Sequence, residues 1–152
     1  MSATLLNVQL DYRIDLVNNG DQTIEIIAIH GDMISAHASL GSAQLAEGQS
    51  DLPVLHRVPR LAAGERAELS GSIRLPLAQI QAVRQGSAAL FVPLVRLWTR
   101  ATMHDGGAIA LPQSFVIGEP PLSDGSGLRP FRLDMGPRIY NQVLARIVTP
   151  AG

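Results

Sequence analysis

The sequence contains no cysteine and no lysine among its 152 residues. Without cysteine, the chain can form neither disulfides nor thiolate zinc sites, and it has no cysteine nucleophile. Because all twelve basic residues are arginines, Schiff-base chemistry on a lysine and the lysine of a phosphate-binding loop are also excluded. The lack of cysteine assigns no compartment, since disulfide-free domains occur on both sides of a membrane.

The chain also has little net charge and no long hydrophobic run. Its formal charge is -1 at pH 7, so no strong field would attract it to nucleic acid or to an anionic membrane. No apolar run approaches the ~20 residues that span a bilayer. The opening residues, MSATLLNVQLDYR, lack the basic segment of a signal peptide. We therefore expect no nucleic-acid partner and no membrane insertion by this segment.

Sequence motifs for nucleotide binding and for hydrolysis are missing as well. The chain has no G-x-G-x-x-G, no phosphate loop and no G-x-S-x-G. We predict from this that the protein is not an enzyme and uses no cofactor. A site built from residues far apart in the sequence would leave no such motif, so a small enzyme stays as an alternative.

What the chain does contain is a long alternation of apolar and polar residues. In LNVQLDYRIDLVNNGD, at 6–21, the apolar residues fall on one side of an extended strand and the polar residues on the other. This period of two indicates a strand with one buried and one solvated face. Residues 18–21, Asn-Asn-Gly-Asp, predict a turn, with a return strand at 23–29. The same alternation recurs at 67–75.

Further elements follow from turn residues and spacing. The stretch 30–32 predicts an interruption of the return strand, and 88–103 predicts one long strand in which Pro93 indicates an edge position or a bulge. A hairpin turn is expected at 104–107. Apolar spacing of three predicts a short helix at 76–86, and the spacing at 137–148 also fits a terminal helix.

These elements predict an all-β fold of six to eight strands. Long alternation with hairpin turns is typical of an immunoglobulin-like antiparallel β-sandwich, here a single domain over 1–152 with one short helix. A helix at the C-terminus stays open at this point, and a small barrel is the alternative architecture.

Two short turn signals carry a resemblance to a known family. The turn at 18–21 ends the first strand, and Leu61-Ala62-Ala63-Gly64-Glu65 leads into a later alternating strand. In this arrangement the first half of the chain resembles bacterial CARDB-type and related immunoglobulin-like modules. The second half, with 91–95 and 131–138, is similar to segments of proteobacterial envelope-type proteins. The predicted 76–86 helix and the long tail depart from a minimal module of this kind.

The resemblance implies a non-enzymatic binding or spacer module. It places the module in the periplasm or cell envelope rather than the cytoplasm, as the extracytoplasmic domain of a larger protein, and the start inside a strand pattern agrees with such a piece. The partner it implies is an unknown protein or a carbohydrate, with the chain itself a monomer or a weak homodimer. Homo-oligomerisation through an edge strand is a separate alternative.

Two groups of residues are candidates for a site. Arg96, Trp98 and Arg100 alternate on one face of the predicted long strand, where arginines beside an aromatic ring can hold a ligand. His30, Asp32 and His37 offer imidazole and carboxylate ligands for zinc or iron, but without a known metal spacing, so we predict no metal site. The enzyme alternative would use His30 and Asp32 with His104.

Overall fold

A computed structural model describes residues 1–4, 7–36, 52–80, 82–122 and 127–148. These residues form twelve strands, numbered here in chain order. They are β1 (Ser2–Ala3), β2 (Asn7–Val17), β3 (Ile24–Ser35), β4 (Val54–Leu61), β5 (Arg66–Pro76), β6 (Val83–Gln85), β7 (Ala88–Phe91), β8 (Pro93–Met103), β9 (Ala108–Gly118), β10 (Phe131–Arg132), β11 (Arg138–Ile139) and β12 (Leu144–Val148).

The largest sheet has five antiparallel strands in the order β12-β9-β8-β3-β4. The β8–β9 hairpin turns at 104–107 as the sequence predicts. Strand β8 lies at the centre of this sheet, so the edge position inferred from Pro93 is wrong. Proline is tolerated there because Pro93 is the first residue of the strand.

The second sheet is built on a long ribbon of β2 and β5 within the order β11-β1-β2-β5. The two strands pair along all eleven residues of each. Their alternation follows the prediction, since Val8, Leu10, Ile73 and Leu75 are buried while the residues between them face outward. The apolar face therefore packs on the five-stranded sheet, which makes the fold an antiparallel β-sandwich.

The turn after β2 does not produce a hairpin. Strand β3 pairs with β4 and β8, not with β2, so 18–23 carries the chain from one sheet to the other. Asn18 holds this crossing in place, because its side-chain amide donates to the carbonyls of Gln22, at 2.8 Å, and Leu61, at 3.0 Å. Its main-chain oxygen accepts from the Gly64 N–H at 2.8 Å. The two turn signals of the sequence thus contact each other.

Strand β3 runs without a break through 30–32. On the β8 side, His30 pairs with Trp98 and Asp32 with Arg96, so the irregularity predicted at 30–32 is confined to the β4 side of the strand. The register with β8 shifts instead between Glu25 and Ala28, and the register with β4 shifts between Ile29 and His30. At the first of these irregularities Ile26 has a φ of 52° and is 70% exposed.

Three predicted elements differ in the structure, and two of them contribute strands to a small third sheet, β10-β7-β6. The predicted long strand at 88–103 is divided at Val92, where the chain leaves β7 and enters β8. The predicted helix at 76–86 is a 3-10 turn, Leu77–Gln79, followed by β6. No terminal helix occurs in the described tail up to 148, where β11 and β12 lie instead. Apolar spacing of three or four over a few residues also suits turns and short strands, which explains both errors.

One core cluster joins all three sheets. It contains Ala3, Val8, Leu10, Met33, Ile73, Leu75, Phe91, Val95, Ile117, Phe131 and Tyr140. Phe131 and Tyr140 pack edge to face with ring centroids 4.8 Å apart, a favourable aromatic geometry. A second cluster, Ile27, Ile29, Leu61 and Ala101, fills the sandwich nearer the β3 crossing. The core thus occupies one face of the five-stranded sheet, and the opposite face is the surface considered next.

Candidate functional site

The candidate site lies on the outer face of the five-stranded sheet. Because directly opposite residues of paired strands share a face, the register places Ala28 beside Arg100, and His30 beside Trp98. On the next strand, Trp98 lies opposite Pro112 and Arg100 opposite Ala110. The small side chains of Ala28 and Ala110, on either side of Arg100, leave space above the sheet next to the Trp98 ring.

That space is an open depression of about 470 Å³, called the Trp98 trough here. Its lining residues include Ile26, Ala28, His30, Arg57, Trp98, Arg100 and Ala110. The volume falls in the ~300–1,000 Å³ range of small-molecule sites. A large aromatic face with cations around it is suited to binding ligands that have both an apolar surface and a negative charge.

The rings and cations of the trough contact one another. The guanidinium carbon of Arg100 lies 5.2 Å from the Trp98 ring centroid, within cation–π range. The His30 ring centroid is 5.9 Å from that of Trp98, with 44° between the planes. His30 Nδ1 lies 2.9 Å from the Leu52 carbonyl. Because a carbonyl can only accept, Nδ1 carries the proton, and Nε2 of the neutral ring is an acceptor.

Arg57 is the residue of the trough that the sequence did not reveal. It lies on β4, opposite Ala28, and enters the trough from a strand about forty residues away in sequence from Trp98. Within the described ranges, neither Arg57 nor Arg100 has a carboxylate partner. The trough therefore contains two guanidinium groups that form no ion pair with an acid in the described part of the chain.

Arg96 is placed differently from the other two predicted binding residues. Its Nε donates to Asp32 Oδ1 at 2.8 Å, and an Nη donates to the other carboxylate oxygen. The hydrogen bonds that Arg96 donates to the Asp32 carboxylate raise the pKa of Arg96 above its ordinary value. The side chains are only 15% and 27% exposed, so this is a partly buried bidentate pair. It lies beside the trough and does not line it.

The proposed metal and catalytic residues do not form one group. His30 and Asp32 share a face, but Arg96 occupies the Asp32 carboxylate. His104 lies beyond the end of β8, beside Glu25 at 3.2 Å. That is more than five residues along the strand from Trp98, roughly 17–20 Å from His30. His37 lies outside the described residues.

The described residues contain neither a metal-binding cluster nor a membrane-spanning helix. No cluster of three or more His, Asp or Glu side chains in those ranges has the proximity needed to hold a metal ion. In the same part of the chain, no helix has the length and apolar character required to cross a membrane.

Comparison of the chain with protein-family models, with curated proteins and with solved structures gives no match.

Proposed function

We propose that this protein is a non-enzymatic binding module, and that the Trp98 trough binds saccharides that carry a carboxylate. The observation that carries the proposal is the half-buried ring of Trp98 together with Arg57 and Arg100, which have no carboxylate partner among the described residues. Both arginines are exposed, so their guanidinium groups are available for charge-assisted hydrogen bonds to an anionic ligand.

The chemistry of a uronic acid fits each part of the trough. The apolar face of its ring would stack on the indole of Trp98, which offers a large apolar area. Its carboxylate would accept paired hydrogen bonds from Arg57 or Arg100, whose planar forks match that geometry. A ring hydroxyl would donate to His30 Nε2. A neutral sugar would make the stacking contact only.

The proposal also covers the strand topology and the cellular location that the sequence resemblance implies. We propose immunoglobulin-like topology of the CARDB type for the sandwich, and an extracytoplasmic, envelope-associated position in which such saccharides are encountered. The support for both is the pair of turn signals at 18–21 and 61–65, which lie against each other in the structure. Fractionation of native cells with an antibody to this domain tests the location, and a purely cytosolic signal would contradict it.

Calorimetric titration tests the ligand class. The probe is digalacturonate, with neutral galactobiose as its uncharged counterpart. We expect saturable binding of the acid and at least about tenfold weaker binding of the neutral sugar, because the neutral sugar lacks one charge-assisted hydrogen bond, which contributes about that factor to the affinity. Arg57→Gln and Arg100→Gln should each weaken acid binding by about tenfold, since each removes such a contact.

The matched control is Arg84→Gln. Arg84 is an exposed arginine on β6, in the small sheet and outside the trough, so the same loss of charge should leave binding unchanged. Equal affinity for acid and neutral sugars, or equal losses in all three variants, would contradict a trough that recognises carboxylates. Absence of binding to either sugar would contradict the saccharide proposal and favour a spacer role.

A further inference from the structure

Strand β5 has one paired edge and one open edge. It pairs with β2 over its whole length, and it is the last strand of its sheet. Among the described residues no strand lies on its other side. An edge of eleven residues with open N–H and C=O groups is a template for another strand.

The sequence of β5, RAELSGSIRLP, is complementary to itself when read in the opposite direction. A two-fold axis through Gly71 would place Glu68 opposite Arg74 of the second copy. By symmetry the dimer would contain this ion pair twice. The same axis would place Ser70 opposite Ser72 of the second copy on the solvated face. On the apolar face it would place Leu69 opposite Ile73 of the second copy. Opposite charges and apolar pairs that face each other in this way stabilise the pairing of two strands.

The charge arrangement of one copy leaves Glu68 poorly compensated. Glu68 lies directly opposite Asp15 of β2, a like-charge pair. Its nearest cation is Arg13, whose Nη1 is 3.9 Å from the Glu68 carboxylate, and both side chains are about two-thirds exposed at 66% and 64%. Arg74 of a second copy would lie opposite Glu68 on the open side. This would offset the repulsion from Asp15.

Other registers lose this complementarity. Moving the axis from Gly71 to Ser70 places Arg66 opposite Arg74 of the second copy, which is a repulsive pair. Moving it to Ser72 places Glu68 opposite Pro76 and leaves Arg74 facing a serine. A shift of the second copy by one residue is also excluded. It would place solvated-face residues of one copy opposite apolar-face residues of the other, and the apolar residues would no longer lie on one face.

From this complementarity we propose that two copies of the chain associate through β5, antiparallel and centred on Gly71, to form one continuous sheet. The interface is isologous, as in most homodimers. The interface uses the open edge of β5 in the β11-β1-β2-β5 sheet. The Trp98 trough lies on the outer face of the five-stranded sheet, so the dimer proposal does not depend on the proposed ligand.

Sedimentation equilibrium over a range of protein concentrations tests the proposal. The wild-type chain should move from a mass of 16.2 kDa towards twice that value as concentration rises. Glu68→Arg would place an arginine opposite each of the two Arg74 residues and should weaken association by at least about tenfold. The double variant Glu68→Arg/Arg74→Glu restores opposite charges and should recover association to within about threefold of wild type.

Asp21→Arg is the matched control, because it makes the same change of charge at an exposed position outside β5; association should be unaffected. Circular dichroism checks that each variant keeps its strand content. A monomer at every concentration would overturn the proposal. So would an unchanged dimer in Glu68→Arg, or a double variant that fails to recover.

The absence of cysteine allows a direct test of the register. Ser70→Cys and Ser72→Cys are made as separate chains and mixed under mild oxidation. Opposite residues have Cα atoms ~4.5–5.5 Å apart, within the range of a disulfide, whereas like positions lie ~7–8 Å apart on the diagonal. The mixture should cross-link several times faster than either variant alone. Equal rates would rule out an axis at Gly71.

Discussion

Asn18 shows how a single buried amide can hold two turns together. The side chain is 2% exposed, donates two hydrogen bonds to main-chain carbonyls and accepts one from the Gly20 N–H. One of these donors reaches Leu61, at the end of β4. The residue therefore connects the crossing between sheets with the turn that precedes β5.

Replacing Asn18 by alanine should lower the free energy of unfolding by about 2 kcal/mol, because a buried carbonyl, that of Leu61, and a partly buried one, that of Gln22, would lose their partner. The measurement is urea unfolding followed by circular dichroism. Asn19→Ala is the control, since Asn19 is exposed in the same turn and should change stability by less than about 0.5 kcal/mol. Equal effects of the two substitutions would show that the Asn18 hydrogen bonds contribute nothing specific.

Asp134 is the residue through which we expect acid to lower the stability of the folded protein. Its Oδ1 accepts from the Ala89 N–H at 2.9 Å and from Arg132 Nε at 3.2 Å. The Arg132 guanidinium and the Ala89 N–H hold the pKa of Asp134 well below its ordinary range. A carboxylate with a depressed pKa in the folded state stabilises the protein above its unfolded-state pKa, and this contribution is lost as pH falls.

We therefore expect Asp134→Asn to be less stable than wild type at pH 7, with the difference narrowing progressively below about pH 4. Urea unfolding at pH 7, 4 and 3 measures the difference. Asp21→Asn is the matched carboxylate-to-amide control. A difference between Asp134→Asn and wild type that stays constant across these pH values would contradict the role assigned to Asp134.

At the level of elements, tight packing around Gly31 fixes how β3 lies between its neighbours. A Cβ built on Gly31 would lie 2.7 Å from Leu97 Cδ2, 2.8 Å from Leu55 Cδ1 and 2.9 Å from the Arg96 carbonyl. These atoms belong to both strands that flank β3. The glycine therefore lets β4 and β8 approach at the point where the β3–β4 register shifts.

Gly31→Ala should destabilise the protein by about 1–3 kcal/mol, the usual effect of overpacking, because one contact is with backbone and cannot move freely. Gly127→Ala is the control, since no atom lies within 4 Å of its built Cβ, and it should be close to neutral. Thermal unfolding of both variants decides the matter. A neutral Gly31→Ala would show that the strands have room to separate.

Local alternation was enough to predict which residues of β2 and β5 face the core, because a period of two depends only on neighbouring residues. It could not predict that β2 pairs with β5 rather than β3, since that choice depends on the crossing held by Asn18. The helix predicted from Leu77, Ile80 and Val83 failed for a related reason. Leu77 and Ile80 pack on the core from a turn, whereas Val83 is 46% exposed.

The candidate site was predictable in the same limited way. Trp98 and Arg100 share a face because they are two apart on one strand, and the structure places both in the trough. Arg96 follows the same spacing, yet Asp32 on the neighbouring strand binds it. Arg57 could not be found from the sequence, because only the pairing of β3 with β4 brings it to Trp98.

At the scale of the whole molecule, the core and the candidate surface lie on opposite faces of one sheet. Met33 and Val95 pack inward in the large core cluster, while His30 and Trp98 on the same two strands face outward. The core therefore fixes the spacing of the outer side chains. A rigid sheet of this kind is a suitable support for a preformed binding surface.

The proposed binding of carboxylate-bearing saccharides in the trough can be observed directly through Trp98. Trp98 is the single tryptophan of the chain, so tryptophan emission, excited where the two tyrosines do not absorb, reports on the trough alone. Titration with digalacturonate should change the emission saturably, with a midpoint that matches calorimetry and rises about tenfold in Arg100→Gln. An emission unchanged by digalacturonate, or a change of equal midpoint with neutral galactobiose, would contradict the account.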